Sequence, residues 1–542
     1  MILLILCLNN SLYENLLNYS FLNHTSLIFL YLRKVKLVNM YRSRLNDDAN
    51  DKTLSFLSSI LEDIEIIEED IVGTEVHNIM LFEIGLLTKK ELKSVLTSLE
   101  NLKEKYGKIK NNDANVIISK LKISKKCEDI HEFIESRIID DVGLSIGGKI
   151  HTGRSRNDQV LLCMILKSRN LINQISAKII EILAILCKLS DSHKNSVMTL
   201  YTHTQHAQIG TYGHYLLAYF DIFTRDLERL NDLYKRLNLS PLGAGAIAGS
   251  SFNINRERTS SLLGFDGIVE NSIDAVSSRD VFLEIGSTIA ILMSNLSRLA
   301  EDIILWSSSE FGFLEVSDSY CSTSSIMPQK KNPCTIELIR GGSGISYGEL
   351  INMLTIVKGS YTGYNRDFQR IKPALWNSLY NASDSLIILQ GVLENINVNK
   401  DIMYNVAKNS FALALDVAEY LVKHYSLSFR EAHQLLGNVV NNLVSNELKL
   451  KDITSDIINK TCKKLLNKNI NVTNKEIQYL IDPNNSLNNK MSSGSPSIKE
   501  VNRMLKIRRN LLKEYSRNLD KRINTIFSIN DNLTKIIRSI IE

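Results

Sequence analysis

The chain has 542 residues, 44% apolar and 23% charged, enough for a large buried core and incompatible with a disordered chain or a lone peptide-binding module. A net charge of +5 is too dilute over that length for a nucleic-acid footprint, and seven scattered cysteines without a Cys-x-x-Cys pair suggest no disulfide framework or zinc cluster, as in a reducing cytoplasm. Only 6 prolines, about a fifth of ordinary usage, disfavour a loop-rich architecture and point to long helices in an all-α protein.

In chain order, the apolar runs Met1 to Leu8 and Ser26 to Leu32 fall short of the ~20 residues a membrane span takes. The first basic residue, Arg33, follows both, whereas a secretory signal carries its charge ahead of the apolar run. Residues 1–39 are therefore read as an extension ahead of a functional start at Met40, with no membrane partner. Between Leu161 and Leu189, Ile165, Ile172, Ile175, Ile179 and Ile182 recur at helical spacing. A seam then runs through Leu216, Phe220, Phe223, Leu227, Leu230, Tyr234 and Leu237 in alternating steps of four and three, the pattern of packed helices. A second such seam comprises Phe282, Ile285, Ile289, Leu292, Leu296, Leu299 and Ile303. These stripes are packing surfaces of a bundle or an oligomer core, not cofactor sites. Polar or glycine-rich breaks at Gly147-Gly148, Gly243 to Gly249 and Ser317 to Pro333 lie between the rods, where chemistry is usually displayed. The Asn-rich stretch Asn395 to Asp401 separates the bundle from C-terminal helices.

Four clusters carry chemistry. His151-Thr-Gly-Arg-Ser-Arg-Asn-Asp-Gln159, at a helix start, offers arginines, hydroxyls and amides to an anionic, carboxylate-rich ligand, although a solvated helix cap has the same composition. In Tyr201-Thr-His-Thr-Gln-His206, His203 and His206 sit at i and i+3 and would share one helical face for a metal. Their neighbours hydrogen-bond rather than ligate, so a histidine acid or base is the better reading. The stretch Ser322-Thr-Ser-Ser-Ile-Met-Pro-Gln-Lys-Lys-Asn-Pro333 cannot be helix interior and reads as a loop whose amides and Lys330 stabilise an oxyanion. Gly363 to Lys372 adds polar and cationic groups. Taken alone, either of these last two stretches also suits a solvated surface.

Taken together, these clusters resemble the argininosuccinate lyase branch of the fumarase/aspartase superfamily. Ser-Ser-Ile-Met-Pro-Gln-Lys-Lys-Asn-Pro resembles the superfamily signature in this branch's form, and His-Thr-Gly-Arg-Ser-Arg-Asn-Asp-Gln-Val is more discriminating still. Glu128 to His131, Ser240 to Gly245, Asn271 to Asp280 and Phe429 to His433 support the match, which covers roughly Met40 to Leu505.

The resemblance implies a three-domain fold whose central long-helix bundle forms a tetramer core, dividing the chain into 40–155, 156–398 and 399–542. It also implies cleavage of argininosuccinate to arginine and fumarate without metal or organic cofactor. By similarity, Ser324 and His203 form the acid/base pair, Glu337 supports the histidine, and Lys330 with Asn332 neutralises the dianionic intermediate; which of the pair removes the carbon-bound proton stays open. Ser59, Asn157, Thr202, Asn332, Tyr364, Gln369 and Lys372 are the implied substrate contacts, and each site of the implied homotetramer is shared among three subunits. The chain departs from the pattern at Thr323, where the signature has glycine. Thr199-Leu200 and Ile209 replace Pro-Gly and Pro, and Tyr41 to Leu45 replaces the N-terminal Trp-Gly-Gly-Arg-Phe.

Overall fold

A computed structural model describes residues 44, 49–124 and 127–542; the expected extension 1–39 and most of the Tyr41 to Leu45 segment lie outside them. The chain divides into two compact units, one of residues up to 78 with 85–152, the other of 79–84 with 153–540.

In the first unit, α1 (Lys89–Gly107) opens on a reciprocal Thr88/Glu91 capping box and buries Leu92, Val95, Leu96, Leu99 and Leu102 on one stripe. That stripe packs beside α2 (Ile130–Val142), which buries Ile134, Ile138 and Ile139.

Five long helices organise the second unit: α3 (Arg156–Ser192), α4 (Tyr212–Leu237), α5 (Asp280–Trp306), α6 (Cys334–Lys358) and α7 (Ile371–Glu394). Every residue of the two predicted seams, and all five isoleucines of the first periodic stretch, is buried. Each such side chain contributes roughly 1.5–3 kcal/mol on leaving water, which is why the heptad spacing dictates the bundle. Successive helices run antiparallel. The His193 ring just after α3 meets Tyr212 at the start of α4, and Tyr215 packs on Trp306 at the end of α5. In α7, Asn381 donates to the Gly342 carbonyl and the Ser346 hydroxyl of α6. Windows of α3 and α5 are apolar enough to suit a membrane, yet they supply the bundle's core seams, with 56% and 50% of each window buried in protein.

Among the described residues there are four two-stranded ladders. The longest is an antiparallel hairpin, β1 (Val197–Thr202) with β2 (Gln205–Thr211). Its base is anchored by Val197 and Ile209, which join the core of the C-terminal helices through Leu413, Leu421, Leu435 and Leu443. A smaller ladder pairs β3 (Ser322–Thr323) with β4 (Lys331–Asn332). The final helix, α8 (Ile498–Ile541), lies along α4: Leu217 packs with Val501, Met504 and Leu505, Arg508 pairs with Asp221, and Arg522 covers the Tyr234 ring.

Candidate active site

The predicted site residues of the second unit gather at opposite ends of the bundle. At the first end, Ser155 caps α3 and its box partner Asp158 is fully buried. One Asp158 oxygen accepts from the Ser155 N–H (3.0 Å), the other from the N–H groups of Gly243 (3.0 Å) and Gly245 (2.9 Å). Both glycines sit at positive φ, the conformation that turns their amides onto one carboxylate. Burial pushes the Asp158 carboxyl up to about 6, against the pull of those three amides and Arg154. The loop so anchored meets Asn157, whose side-chain amide donates to the Ala246 carbonyl at 2.9 Å.

Tyr364 reaches the same end, since a Cβ on its neighbour Gly363 would touch Ile247 of that loop at 3.0 Å. Beneath Tyr364 lies the buried Arg279, 4.5 Å from the Phe368 ring centroid and 6.0 Å from that of Tyr364, donating to the Val276 and Ser278 carbonyls. Burial lowers this guanidinium to about 10. Gln369 is half-buried in the 3-10 turn Arg366–Arg370, and Lys372 is buried in the first turn of α7. Asp158 and Arg279 hold this end together, and neither was given a role from sequence. Asp158 had left a signal, an acidic residue three positions after a serine cap; the ring-covered arginine had left none.

At the other end, His203 is not on a helix, so the shared helical face with His206 does not exist. His203 and Thr204 form the two-residue turn of the hairpin, both at positive φ (52° and 56°). The His206 ring lies edge-on to Tyr201 instead. Thr202 and His203 are exposed, and among the described residues the His203 imidazole makes no hydrogen bond to Glu337. The departures Thr199 and Ile209 are direct cross-strand partners, both buried. Proline lacks the N–H a ladder uses, whereas β-branched residues suit a paired strand.

The signature loop closes on the same end. Thr323 pairs with Lys331 in extended backbone, where β-branching is favourable, so the missing glycine leaves no strained position. The Ser324 Oγ accepts from the N–H groups of Ile326 (3.3 Å) and Met327 (3.0 Å). Lys331 is held by Glu315 (3.1 Å) and Asp318 (2.6 Å), while Lys330 is exposed with no carboxylate partner among the described residues. Asn332 is half-buried in β4, and Glu337 is exposed on the first turn of α6.

In the first unit, Ser59 is buried, its hydroxyl donating to Asp63 at 2.6 Å and its N–H to the Glu128 carbonyl at 2.8 Å. Within the second unit, α3 alone separates Asn157 from the His203 hairpin, and its 37 residues span about 55 Å.

A lyase family profile matches residues 44–348, and a profile for the argininosuccinate lyase C-terminal region matches 411–488. The chain is 40% identical over 503 residues to the argininosuccinate lyase of Nitrosopumilus maritimus, covering 93% of this chain and 100% of that one. It is 37% identical to the argininosuccinate lyase of Methanocaldococcus jannaschii, covering 91% of this chain and 98% of that one. Among solved structures, an EDDS lyase variant with bound fumarate superposes with a TM-score of 0.80 at 28% identity, covering 92% of this chain and 97% of that one. Similarity of this extent over both units makes the chain a lyase, and it belongs to the argininosuccinate lyase family.

Proposed function

We propose that this protein cleaves argininosuccinate reversibly to arginine and fumarate in arginine biosynthesis, in the cytoplasm, by general acid/base elimination across a C–N bond. The observation that carries the reading is the end-to-end similarity to argininosuccinate lyases, with every expected catalytic side chain retained. The fumarate held by the structurally similar EDDS lyase variant agrees with fumarate as product.

The chemistry accounts for the residue types. A proton beside a carboxylate is weakly acidic, and its loss creates a dianionic aci-carboxylate that must be neutralised as it forms. Ser324 is the base: the two N–H groups on its Oγ are oriented to stabilise the alkoxide that proton abstraction requires. Lys330 and Asn332 neutralise the aci-carboxylate. His203 protonates the departing guanidino nitrogen, with Glu337 as its carboxylate partner. Ser59, Asn157, Thr202, Asn332, Tyr364, Gln369 and Lys372 bind the substrate, and no cofactor takes part.

The active unit is a homotetramer in which three chains build each site. The ~55 Å of α3 between Asn157 and the His203 hairpin supports this, because one small substrate cannot bridge it within a chain. A stripe on α6 supports it too: Leu338, Ile345 and Ile351 are 76%, 53% and 63% exposed, with open space above Gly341, Gly344 and Gly348. An apolar face of this kind on a core helix suits burial by other copies.

The test is fumarate release from argininosuccinate, followed by ultraviolet absorbance, in the parent and in His203→Ala and Ser324→Ala. An active parent and a loss of about a hundred- to ten-thousand-fold in each variant are expected. A silent parent that is folded and assembled would sink the assignment.

A further inference from the structure

The hairpin bearing His203 has a construction that its strand register makes visible. Leu200 pairs with Gln208, but the next residue, Tyr201, pairs with His206, so Ala207 is an extra residue and the ladder carries a β-bulge one step from the tip. A bulge bends its strand, increases the local twist and re-aims the side chains beyond it. Two residues later the chain reverses through His203 and Thr204, both in the left-handed region, which costs a non-glycine residue of order 1 kcal/mol or more. Neither feature would hold a fixed direction by itself, because a two-residue tip with exposed side chains has nothing beneath it to pack on.

Tyr201 supplies that contact. On one side its ring meets His206 at 5.3 Å between centroids and 69°, directly across the bulge; on the other it meets Phe311 at 5.9 Å and 56°. Phe311 continues to Phe313 (5.4 Å), Phe313 to Trp306 (6.4 Å), and Trp306 to Tyr215 (4.6 Å), where Tyr215 donates to Asp302 at 2.7 Å. An unbroken run of aromatic contacts therefore joins the hairpin tip to the ends of α4 and α5. Burial raises the Tyr201 phenol to about 12, so the ring is neutral throughout the working pH range.

We propose that Tyr201 is a positioning residue: its ring, clamped between His206 and Phe311 at the bulge, fixes the direction in which the turn presents His203. The proposal rests on the reading of His203 as the acid/base group. It assigns the work to the ring, not the hydroxyl, and to the chemical step, not to binding. Misplacing a catalytic group by about 1 Å costs on the order of a hundredfold in rate.

The experiment is steady-state kinetics on argininosuccinate with Tyr201→Phe, Tyr201→Leu, Phe311→Leu, His203→Asn and the double variant Tyr201→Leu/His203→Asn, each checked for parental assembly mass. Tyr201→Phe should stay within about twofold of the parent. Tyr201→Leu should lose about 10- to 100-fold in kcat with KM little changed. Phe311→Leu should lose less, in the same parameter. In the His203→Asn background, Tyr201→Leu should add less than about twofold, because a residue acting through His203 has nothing left to position.

Equal losses in Tyr201→Phe and Tyr201→Leu, a change confined to KM, or a full multiplicative effect on a slow His203→Asn would overturn this proposal alone. Parental activity in His203→Asn would overturn the reading of His203 and this proposal with it. Should Tyr201→Leu fail to assemble, Phe311→Leu combined with His203→Asn decides by the same criterion.

Discussion

The two ends of the central bundle present their polar residues in opposite ways. At the Asn157 end, Asp158 and Arg279 are buried and hydrogen-bond to backbone, fixing the Gly243 to Gly249 loop and a platform for Tyr364. At the His203 end, the expected acid, the oxyanion lysine and Glu337 project from short turns or a helix start into solvent. The first end is preorganised inside one chain, as a binding surface should be. The second is open to water in one chain, whereas the elimination proposed for it needs a site that excludes water. In the proposed tetramer, other copies would complete it by bringing the two kinds of end together.

That comparison is tested most severely by mixing variants. His203→Ala and Asn157→Ala should each be nearly inactive as pure assemblies, because each damages every site. If different chains supply the two residues, co-expression should restore a measurable rate, since some sites then draw an intact copy of each. Mixed assemblies as inactive as the pure ones, with mixing verified by mass, would place both residues in one chain's site and break the comparison.

The α6 stripe gives the next largest effect. Ile351→Arg places a charge on a face that is 63% exposed in the single chain, so the isolated fold should tolerate it. In the assembly the same charge would be buried without a partner, so mass in solution should fall and activity with it. An active variant of parental mass would show that this face stays in water.

The two ends also differ in how legible they were in the sequence. The bundle was readable because the steps of three and four in Leu216 to Leu237 and Phe282 to Ile303 are what packed helices require, and the structure buries every one of those residues. The acidic residue three positions after Ser155 was a visible cap, but its second task, gathering Gly243 and Gly245 from more than eighty residues away, has no local signature. The hairpin was hidden for a different reason. Its turn is His-Thr, not the Asn-Gly that marks a two-residue reversal, so the i, i+3 histidines suggested a helix. Thr199 and Ile209, both departures from the family pattern, are far enough apart in sequence that only the ladder shows them to be buried cross-strand partners.

Asp158→Asn separates the ends by stability. An amide keeps one acceptor oxygen where three N–H groups share two, so in either orientation at least one buried N–H is left facing the amide's own NH2, at a cost of roughly 1 to 3 kcal/mol. The thermal midpoint should drop, and binding should weaken with it, because the Ala246 carbonyl that holds Asn157 lies on the loop this carboxylate anchors. An unchanged midpoint would mean that the glycine loop is held by something other than this carboxylate.

The smallest effect, and the one of opposite sign, belongs to Thr204→Gly at the other end. Thr204 occupies φ 56° with a β-branched side chain, and its hydroxyl donates only to the adjacent His203 carbonyl, at 2.6 Å. Glycine removes the steric penalty of the left-handed conformation, and the greater freedom it gives the unfolded chain takes back part of that gain. The net change should be a stabilisation of up to about 1 kcal/mol, read as a small rise in denaturation midpoint. The rate should move the other way, because the strain that glycine relieves also restricts where His203 can point. A gain in stability together with a loss in kcat would mark Thr204 as a residue kept for direction at the expense of stability, the inverse of Asp158. A variant both more stable and equally fast would show that direction at this end is set wholly below the turn, by the ring of Tyr201.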